Sequence, residues 1–454
     1  MYAVTRLLPP YIYNGVVRPF LCCLGVLALL CLPHATAQTP KRLNDQTTKR
    51  PSEQTADSLI VADMRREGVR FSHDNAITLL PNGTAKFNDM LSAISQAQSS
   101  VHLEYFNFRN DSIGNLLFDL LARKVSEGVE VRALFDGFGN DSNNKPLRKR
   151  HLRQLRERGI KIAEFDPVRF PWVNHVFARD HRKIVIIDGR IAYTGGMNVA
   201  DYYIVGTPQV GEWHDMHCRL EGSEVETLQQ IFLNIWRKTT GEQVYGTHYW
   251  RGLGEHQHIT ALQPDTTATA GKKMVGVVNR EPRATNHIIR EFYLSAINHA
   301  QQQIRIINPY PTLIPSITRA LKRAARRGVD VQILISARSD IPLTPDCGYY
   351  NAHKLMKAGC KVWVFEPGFH HTKTLTVDGR LCSVGSANLN ARSLRFDYEE
   401  NLVIADSCTT HELDQLFERE KQRSFQLTPE QWKQWRTPWQ RFRGWLAHLL
   451  APWL

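Results

Sequence analysis

Short apolar runs alternate with amphipathic stretches along most of the chain. Residues 101–106 and 304–307 have the composition of buried strands. Residues 184–187 and 374–377 are apolar or β-branched, and each run ends in Asp-Gly, which predicts a strand closed by a turn. Basic helical segments run up to Gly128 and Gly328, each glycine standing between a helix end and a new strand. Strands alternating with helices predict an α/β fold.

The pattern occurs twice. Leu91-Ser92-Ala93-Ile94 returns as Leu294-Ser295-Ala296-Ile297, an offset of 203. Gly128-Val129-Glu130-Val131 returns as Gly328-Val329-Asp330-Val331, an offset of 200. Residues 181–198, HRKIVIIDGRIAYTGGMN, return as residues 371–388, HTKTLTVDGRLCSVGSAN, an offset of 190. The first half therefore carries ten extra residues between Pro167 and His181, an aromatic and basic insert that reads as an active-site wall or an interfacial loop. Its plainer reading is a surface loop. The expected halves are 79–240 and 284–427, joined by a connector at 241–283 that is rich in Gly, Thr and His.

The ends of the chain differ from this pattern. Residues 20–32 form an apolar run of 13, preceded by Arg6 and Arg18 and followed by Ala35-Thr36-Ala37. That order fits a secretory signal over residues 1–37, with an uncleaved membrane anchor as the alternative. The run is short for a span, which needs about 20 residues. Residues 38–78 read as a polar linker and lead-in. In residues 428–454, Trp432, Trp435, Trp439, Phe442, Trp445, Leu449 and Trp453 recur every three or four positions or close to it, with Lys433, Arg436, Arg441 and Arg443 among them. This predicts a basic amphipathic helix interrupted at Pro438, suited either to a membrane interface or to docking on the protein itself.

Composition narrows the class. The chain has 454 residues, 42% of them hydrophobic and 22% charged, which fits a globular protein of two or three domains. A formal net charge of +13 suits an anionic partner, nucleic acid or acidic membrane surface. The eight cysteines show no CxxC spacing, which argues against a disulfide framework or a cysteine zinc site and for small buried hydrophobes.

The doubled stretch carries the chemistry. His181, Lys183, Asp188 and Asn198 recur as His371, Lys373, Asp378 and Asn388. Histidine serves as nucleophile or general acid/base near neutral pH, while Lys and Asn donate to phosphate oxygens. The His-x-Lys-(x)4-Asp pattern with a following Asn, present twice, resembles the phospholipase D superfamily. Residues 79–427 are most similar to the bacterial cardiolipin synthases, through FARDHRKIVIIDGRIAYTGGMNVADYY in the first half and PGFHHTKTLTVDGRLCSVGSANLNARSLRFDYEENL in the second. The resemblance implies two tandem phospholipase D-like α/β sandwich domains forming one pseudo-twofold active site. It implies phosphatidyl transfer between phospholipids, phosphatidylglycerol to cardiolipin plus glycerol, through a phosphohistidine and with no metal or cofactor.

By that resemblance His181 is the nucleophile and His371 the acid/base, with Lys183, Lys373, Asn198 and Asn388 on the phosphate. Asp215 and Glu399 orient the histidines. Asp188 and Asp378 complete the motifs, although their places at strand ends equally fit a structural role beside the Gly-Arg turn. His214, Asp215 and His217 have no third ligand set beside them in sequence, so no metal site is read there, and His370 lacks the Lys spacing of His371. The chain departs from those enzymes in its single apolar run where they open with two, in Thr372, and in its long connector. The expected partners are a phospholipid and an anionic membrane surface on the exported side of the cell membrane, with no nucleic acid. The alternative functions are a phospholipase D-type hydrolase or a secreted phosphodiesterase.

Overall fold

Runs that are apolar on both faces become the inner strands of one sheet. The structure, a computed structural model, describes residues 55–168, 177–250, 271–341 and 344–450. The first half contributes β1 (Phe71–Leu80), β2 (Ser100–Tyr105), β3 (Glu130–Asp136), β4 (Lys161–Phe165), β5 (Lys183–Ile187), β6 (Ile191–Gly195), β7 (Glu212–His214) and β8 (His217–Glu221). The second contributes β9 (Lys273–Arg280), β10 (Gln303–Ile307), β11 (Asp330–Ser336), β12 (Lys361–Phe365), β13 (Gly368–His370), β14 (Thr374–Val377), β15 (Leu381–Gly385), β16 (Glu399–Ala405) and β17 (Ser424–Leu427).

Fifteen of these strands form one sheet in the order β17-β12-β11-β10-β14-β15-β16-β9-β1-β8-β6-β5-β2-β3-β4. Read outward from the β9–β1 junction, the two sides repeat the same order of equivalent strands, with β17 added at one edge. This is the α/β duplication expected from the offsets. The halves join where β1 pairs antiparallel with β9. The remaining two strands, β7 and β13, form a separate parallel ribbon.

Helices cover both faces of each half. Helices Gly83–Ser95 and Ser112–Ser126 close the first-half core over Val101, Leu103, Val131 and Val185. Helices Ile288–His299 and Pro315–Arg326 do the same over Ile304, Ile306 and Leu375. A third apolar cluster lies between the halves, where helices Glu224–Thr240 and Ser407–Gln422 pack on strands of both. Side-chain caps fix several helix starts: Asn82, Asp111 and Asp406 accept from the amides of Ala85, Gly114 and Thr409.

Two expectations change. The end of the expected lead-in at 38–78 is folded: helix Ala56–Arg66 buries Ile60, Val61 and Met64 in the second-half core, and β1 is central to the sheet. The expected connector at 241–283 contains β9, equally central. The tail forms two helices, Pro429–Trp435 and Pro438–Leu450, broken at the expected proline. Trp432 docks inward, stacked on His353 with ring centroids 3.8 Å apart, while Trp439, Phe442, Trp445 and Leu449 stay exposed. Docking on the protein thus holds for Trp432, and the outer residues are left uncovered by the chain. The signal-like segment and most of the aromatic insert lie outside the described residues.

The motif carboxylates Asp188 and Asp378 are a correction. Asp188 stands after β5 at φ 51° and accepts from the amides of Gln98, Ser99 and Ser100 at 2.8, 2.8 and 2.9 Å. Asp378, also at φ 51°, accepts from Gln301, Gln302 and Gln303, each at 2.8 Å. Each carboxylate therefore clamps its turn to the start of the neighbouring strand, β2 or β10, at the strand end remote from the motif histidine. Asp188→Ala and Asp378→Ala should each lower stability by about 1.5–3 kcal/mol, the scale of hydrogen bonds to a charged group. Urea unfolding should show this while turnover per folded molecule stays near wild type; unaltered unfolding with lost turnover would return these residues to the chemistry.

Candidate active site

Two short backbone bridges between the halves build the site. In one, Asp180 pairs with Tyr398, the Tyr398 amide donates to Arg179 O at 2.8 Å, and the His181 amide donates to Tyr398 O at 3.0 Å. In the other, β13 runs beside β7 with His370 opposite His214, and the His371 amide donates to His214 O at 2.7 Å. The bridges are equivalent under the duplication. Each carries a histidine of one half past a carboxylate of the other.

The consequence is an exchange. His181 Nδ1 meets Glu399 of the second half at 3.0 and 3.1 Å. His371 Nδ1 meets Asp215 of the first half at 2.7 Å. Both predicted orienting residues are therefore in place, each serving the other half's histidine. With Nδ1–H held by a carboxylate, each Nε2 is left for substrate.

The doubled motif differs where its carboxylates differ. A Cβ at Gly196 would overlap the Asp215 carboxylate, so the first half needs glycine there. At the equivalent position Ser386 donates its hydroxyl to the Glu399 carboxylate. Glu400, beside it, receives Thr194 from across the interface. The Gly-Gly and Gly-Ser spellings thus each fit a different partner.

Lys183 and Lys373 are buried, and their ammonium groups donate to the carbonyls of His181 and His371. Lys373 Nζ also lies 3.0 and 3.1 Å from the two His371 ring nitrogens. Asn198 and Asn388 are buried at the site, and the Oδ1 of each makes no hydrogen bond within the chain. Lys86 supports the first of these loops by donating to the carbonyls of Met197 and Asn198, both at 3.0 Å.

Charges of both halves act on one another here. Burial holds His181 well below the usual imidazole range, and Lys183 and Lys373 push it the same way. Burial and Lys373 lower His371 to about 4, against the pull of Asp215. Burial also lowers Lys373 to about 8 and raises Glu399 to about 7 and Glu400 to about 8. A low-dielectric pocket with two neutral imidazoles and two lysines is built to receive an anion.

Residues beyond the motifs complete the walls. Phe106 presents its ring to His181 at 5.1 Å, and Trp213, Phe369 and Tyr310 surround His371 at 5.6, 5.5 and 5.9 Å. Two buried arginines brace the first motif: Arg179 binds Asp136 at 2.9 Å, and Arg182 binds Glu104 at 2.8 Å and Asp180 at 3.1 Å. Sequence pattern missed these because Asp136 and Glu104 lie on other strands, β3 and β2. The one available signal was two arginines flanking a histidine just before an otherwise apolar strand.

Comparison with known proteins agrees with this geometry. A family model described as cardiolipin synthase, PLD-like domain, matches residues 90–236 and again 293–421. The cardiolipin synthase of Oceanobacillus iheyensis is 31% identical over 395 residues, covering 87% of this chain and 78% of that protein. The major cardiolipin synthase of Bacillus subtilis is 33% identical over 386 residues, covering 84% and 76%. The crystal structure of phosphatidylserine synthase from Haemophilus influenzae shares the fold, with a TM-score of 0.64 over 87% of this chain and 98% of its own, at 16% identity. With one family model matched in both halves, each match spanning its own histidine motif or the approach to it, the chain belongs to the cardiolipin synthase family of phospholipase D-like proteins.

Proposed function

We propose that the protein transfers a phosphatidyl group from one phosphatidylglycerol to a hydroxyl of another, yielding cardiolipin and glycerol. The observation that carries this is the pair of histidines, each with its own carboxylate, in one anion-receiving pocket. His181 Nε2 attacks phosphorus, the bond from phosphorus to the glycerol oxygen breaks, and that oxygen takes a proton from His371. Neutral His371 then takes the proton of the incoming lipid hydroxyl, whose oxygen displaces His181 from phosphorus. Lys183, Lys373 and the two asparagine amides hold the non-bridging oxygens, where negative charge grows.

The electrostatics support this division of roles. Asp215 pulls the His371 pKa upward by charge and hydrogen bond, and a bound phosphodiester anion adds to that pull. Burial and two lysines hold His181 below the usual imidazole range. Asp215 thus favours a proton on His371, and the lysines disfavour one on His181.

A membrane-surface contact is supported by the outer face of the tail. Trp439, Phe442, Trp445, Leu446 and Leu449 are exposed in a row on helix Pro438–Leu450, while half-buried Arg441 turns back to donate to the carbonyls of Arg436 and Lys433. Arg436 and Arg443 meanwhile tie the tail to the second half through Asp346. Trp with basic residues suits an anionic interface. The signal-like residues 1–37 support a place on the exported side of the cell membrane. Among the described residues, no helix is long and apolar enough to cross a membrane.

Incubation with labelled phosphatidylglycerol, separating cardiolipin from phosphatidic acid, tests the reaction; phosphatidic acid alone would make the protein a hydrolase. His181→Ala should abolish both products. His371→Ala should lower the rate by roughly 10²–10⁴, the scale of general-acid catalysis, and recover on a substrate with an acidic leaving group.

Glu399 should set the acid limb of the pH profile. Its carboxyl is raised from 4.5 to about 7, so turnover should fall below about pH 7, and Glu399→Gln should give a low, flat profile. Stability should run the other way. Between pH 4.5 and 7 the folded state keeps a proton that the unfolded state has lost, so wild-type stability declines as pH rises through this window. Glu399→Gln should therefore be more stable than wild type at pH 8, by on the order of 3 kcal/mol, and no more stable below pH 4.5. Thermal unfolding at the two pH values checks this.

Replacing Trp439, Phe442 and Trp445 together with serine should weaken binding to anionic vesicles by at least about tenfold, given about 1.5–3 kcal/mol per fully buried large side chain. Turnover of a short-chain soluble substrate should be unchanged. Equal vesicle binding would remove the tail from the interface.

A further inference from the structure

The two bridges that build the active site differ in one respect. At the first, the bridging residues Asp180 and Tyr398 have cationic partners: Asp180 Oδ1 accepts from Arg182 at 3.1 Å, although its Oδ2 makes no hydrogen bond, and Tyr398 accepts from Lys238 on helix Glu224–Thr240. At the second, the equivalent residues are His370 and His214, and the neighbouring helix Ser407–Gln422 supplies Glu420. His370 is 2% exposed, and neither ring nitrogen makes a hydrogen bond. Glu420 is 7% exposed, and its Oε2 makes none.

These groups converge. His214 Nδ1 and His370 Nε2 each lie 3.8 Å from Glu420 Oε2, and one ligand atom from each of the three residues lies within 4.8 Å of the others. Ligand atoms about 2.0–2.2 Å from a tetrahedral zinc ion stand roughly 3.4 Å apart, so closing the set takes small side-chain rotations. His214 is prepared as a ligand. Its Nε2 is held by Glu212 at 3.0 Å, and Glu212 is held by Arg423 at 2.9 Å. A carboxylate on Nε2–H leaves the Nδ1 lone pair facing Glu420. Arg423 Nη1 stands 3.9 Å from Glu420 Oε2, farther than its contact with Glu212.

We propose that His214, His370 and Glu420 form a binding site for a divalent transition cation of the zinc class, with water in the fourth position. Two imidazoles and one carboxylate are a zinc-type donor set. In sequence, His214, Asp215 and His217 have no further ligand set beside them and read as no metal site. Asp215 is committed to His371, and the other two ligands come from the second half. The cation is structural: His214 precedes Asp215 and His370 precedes His371, so it ties β7 to β13 directly behind that catalytic pair.

The test uses tag-free full-length protein stripped with chelator and titrated with Co²⁺. Expected are one equivalent bound per chain, the intense visible bands of four-coordinate cobalt, displacement by Zn²⁺, and a higher melting temperature with Zn²⁺. His214→Ala, at the most exposed ligand, Glu420→Gln and His370→Gln should each weaken binding roughly tenfold or more. His411→Gln, on the exposed face of the same helix as Glu420, should not. Absence of stoichiometric binding overturns the proposal, as does wild-type affinity and spectrum in the folded ligand variants.

Discussion

Each motif histidine takes its carboxylate partner from the other half. Glu399 reaches His181 at 3.0 Å and Asp215 reaches His371 at 2.7 Å, both across the interface. Neither half alone can hold a histidine in the tautomer that leaves Nε2 free. The backbone bridges at Asp180–Tyr398 and His370–His214 enforce this exchange, and the shared apolar cluster beneath helices Glu224–Thr240 and Ser407–Gln422 keeps the bridges in register. A shift of the halves by one residue would separate both pairs at once. The joint through β1 and β9 therefore bears on the site, and β9 also reaches it directly: Arg280 pairs with Glu399, and Asn279 accepts from Arg182 at 3.1 Å.

Duplication has left the backbone symmetric and the side chains not. Gly196 clears space for the shorter carboxylate, whereas Ser386 donates to the longer one. Arg182 in the first motif neutralises Glu104 and Asp180; its counterpart Thr372 is uncharged and faces no such pair. The first motif is thus braced by buried ion pairs and the second by aromatic rings and the histidine cluster. Two histidines that began as copies sit in different fields, and this difference supports different steps of one reaction.

What the sequence revealed followed the reach of its signals. Periodicity and a repeating offset are properties of contiguous residues, so the α/β class, the duplication and the histidine motifs were legible. The exchange was not, because spacing along one half says nothing about which half a side chain faces. Asp188 and Asp378 illustrate the limit: they recur with the catalytic residues, but their recurrence reflects the same turn clamped twice to a neighbouring strand. β9 was lost in a polar, glycine-containing segment because a central strand of eight residues flanked by such sequence has little periodicity to display. Lys86, Arg179 and Arg182 were unreadable for a related reason. A charged residue is assigned to the surface unless its partner is known, and their partners are carbonyls and carboxylates far along the chain.

The site is costly to the fold, and that cost explains its architecture. Burial raises Glu399 and Glu400 and lowers Lys183 and Lys373, so each of these groups is displaced from its ordinary ionisation by the environment that makes it useful. Such charges remain buried only if the surrounding structure is over-determined. A sheet continuous through both halves, arginine-braced strands and backbone clamps at both Asp-Gly turns provide that redundancy away from the reacting atoms. The lysines and carboxylates then share a compact field that an incoming phosphodiester completes. Stability is concentrated in the duplicated scaffold, while the carboxylates and lysines of the site, displaced from their ordinary ionisation, gather at the seam where the copies meet.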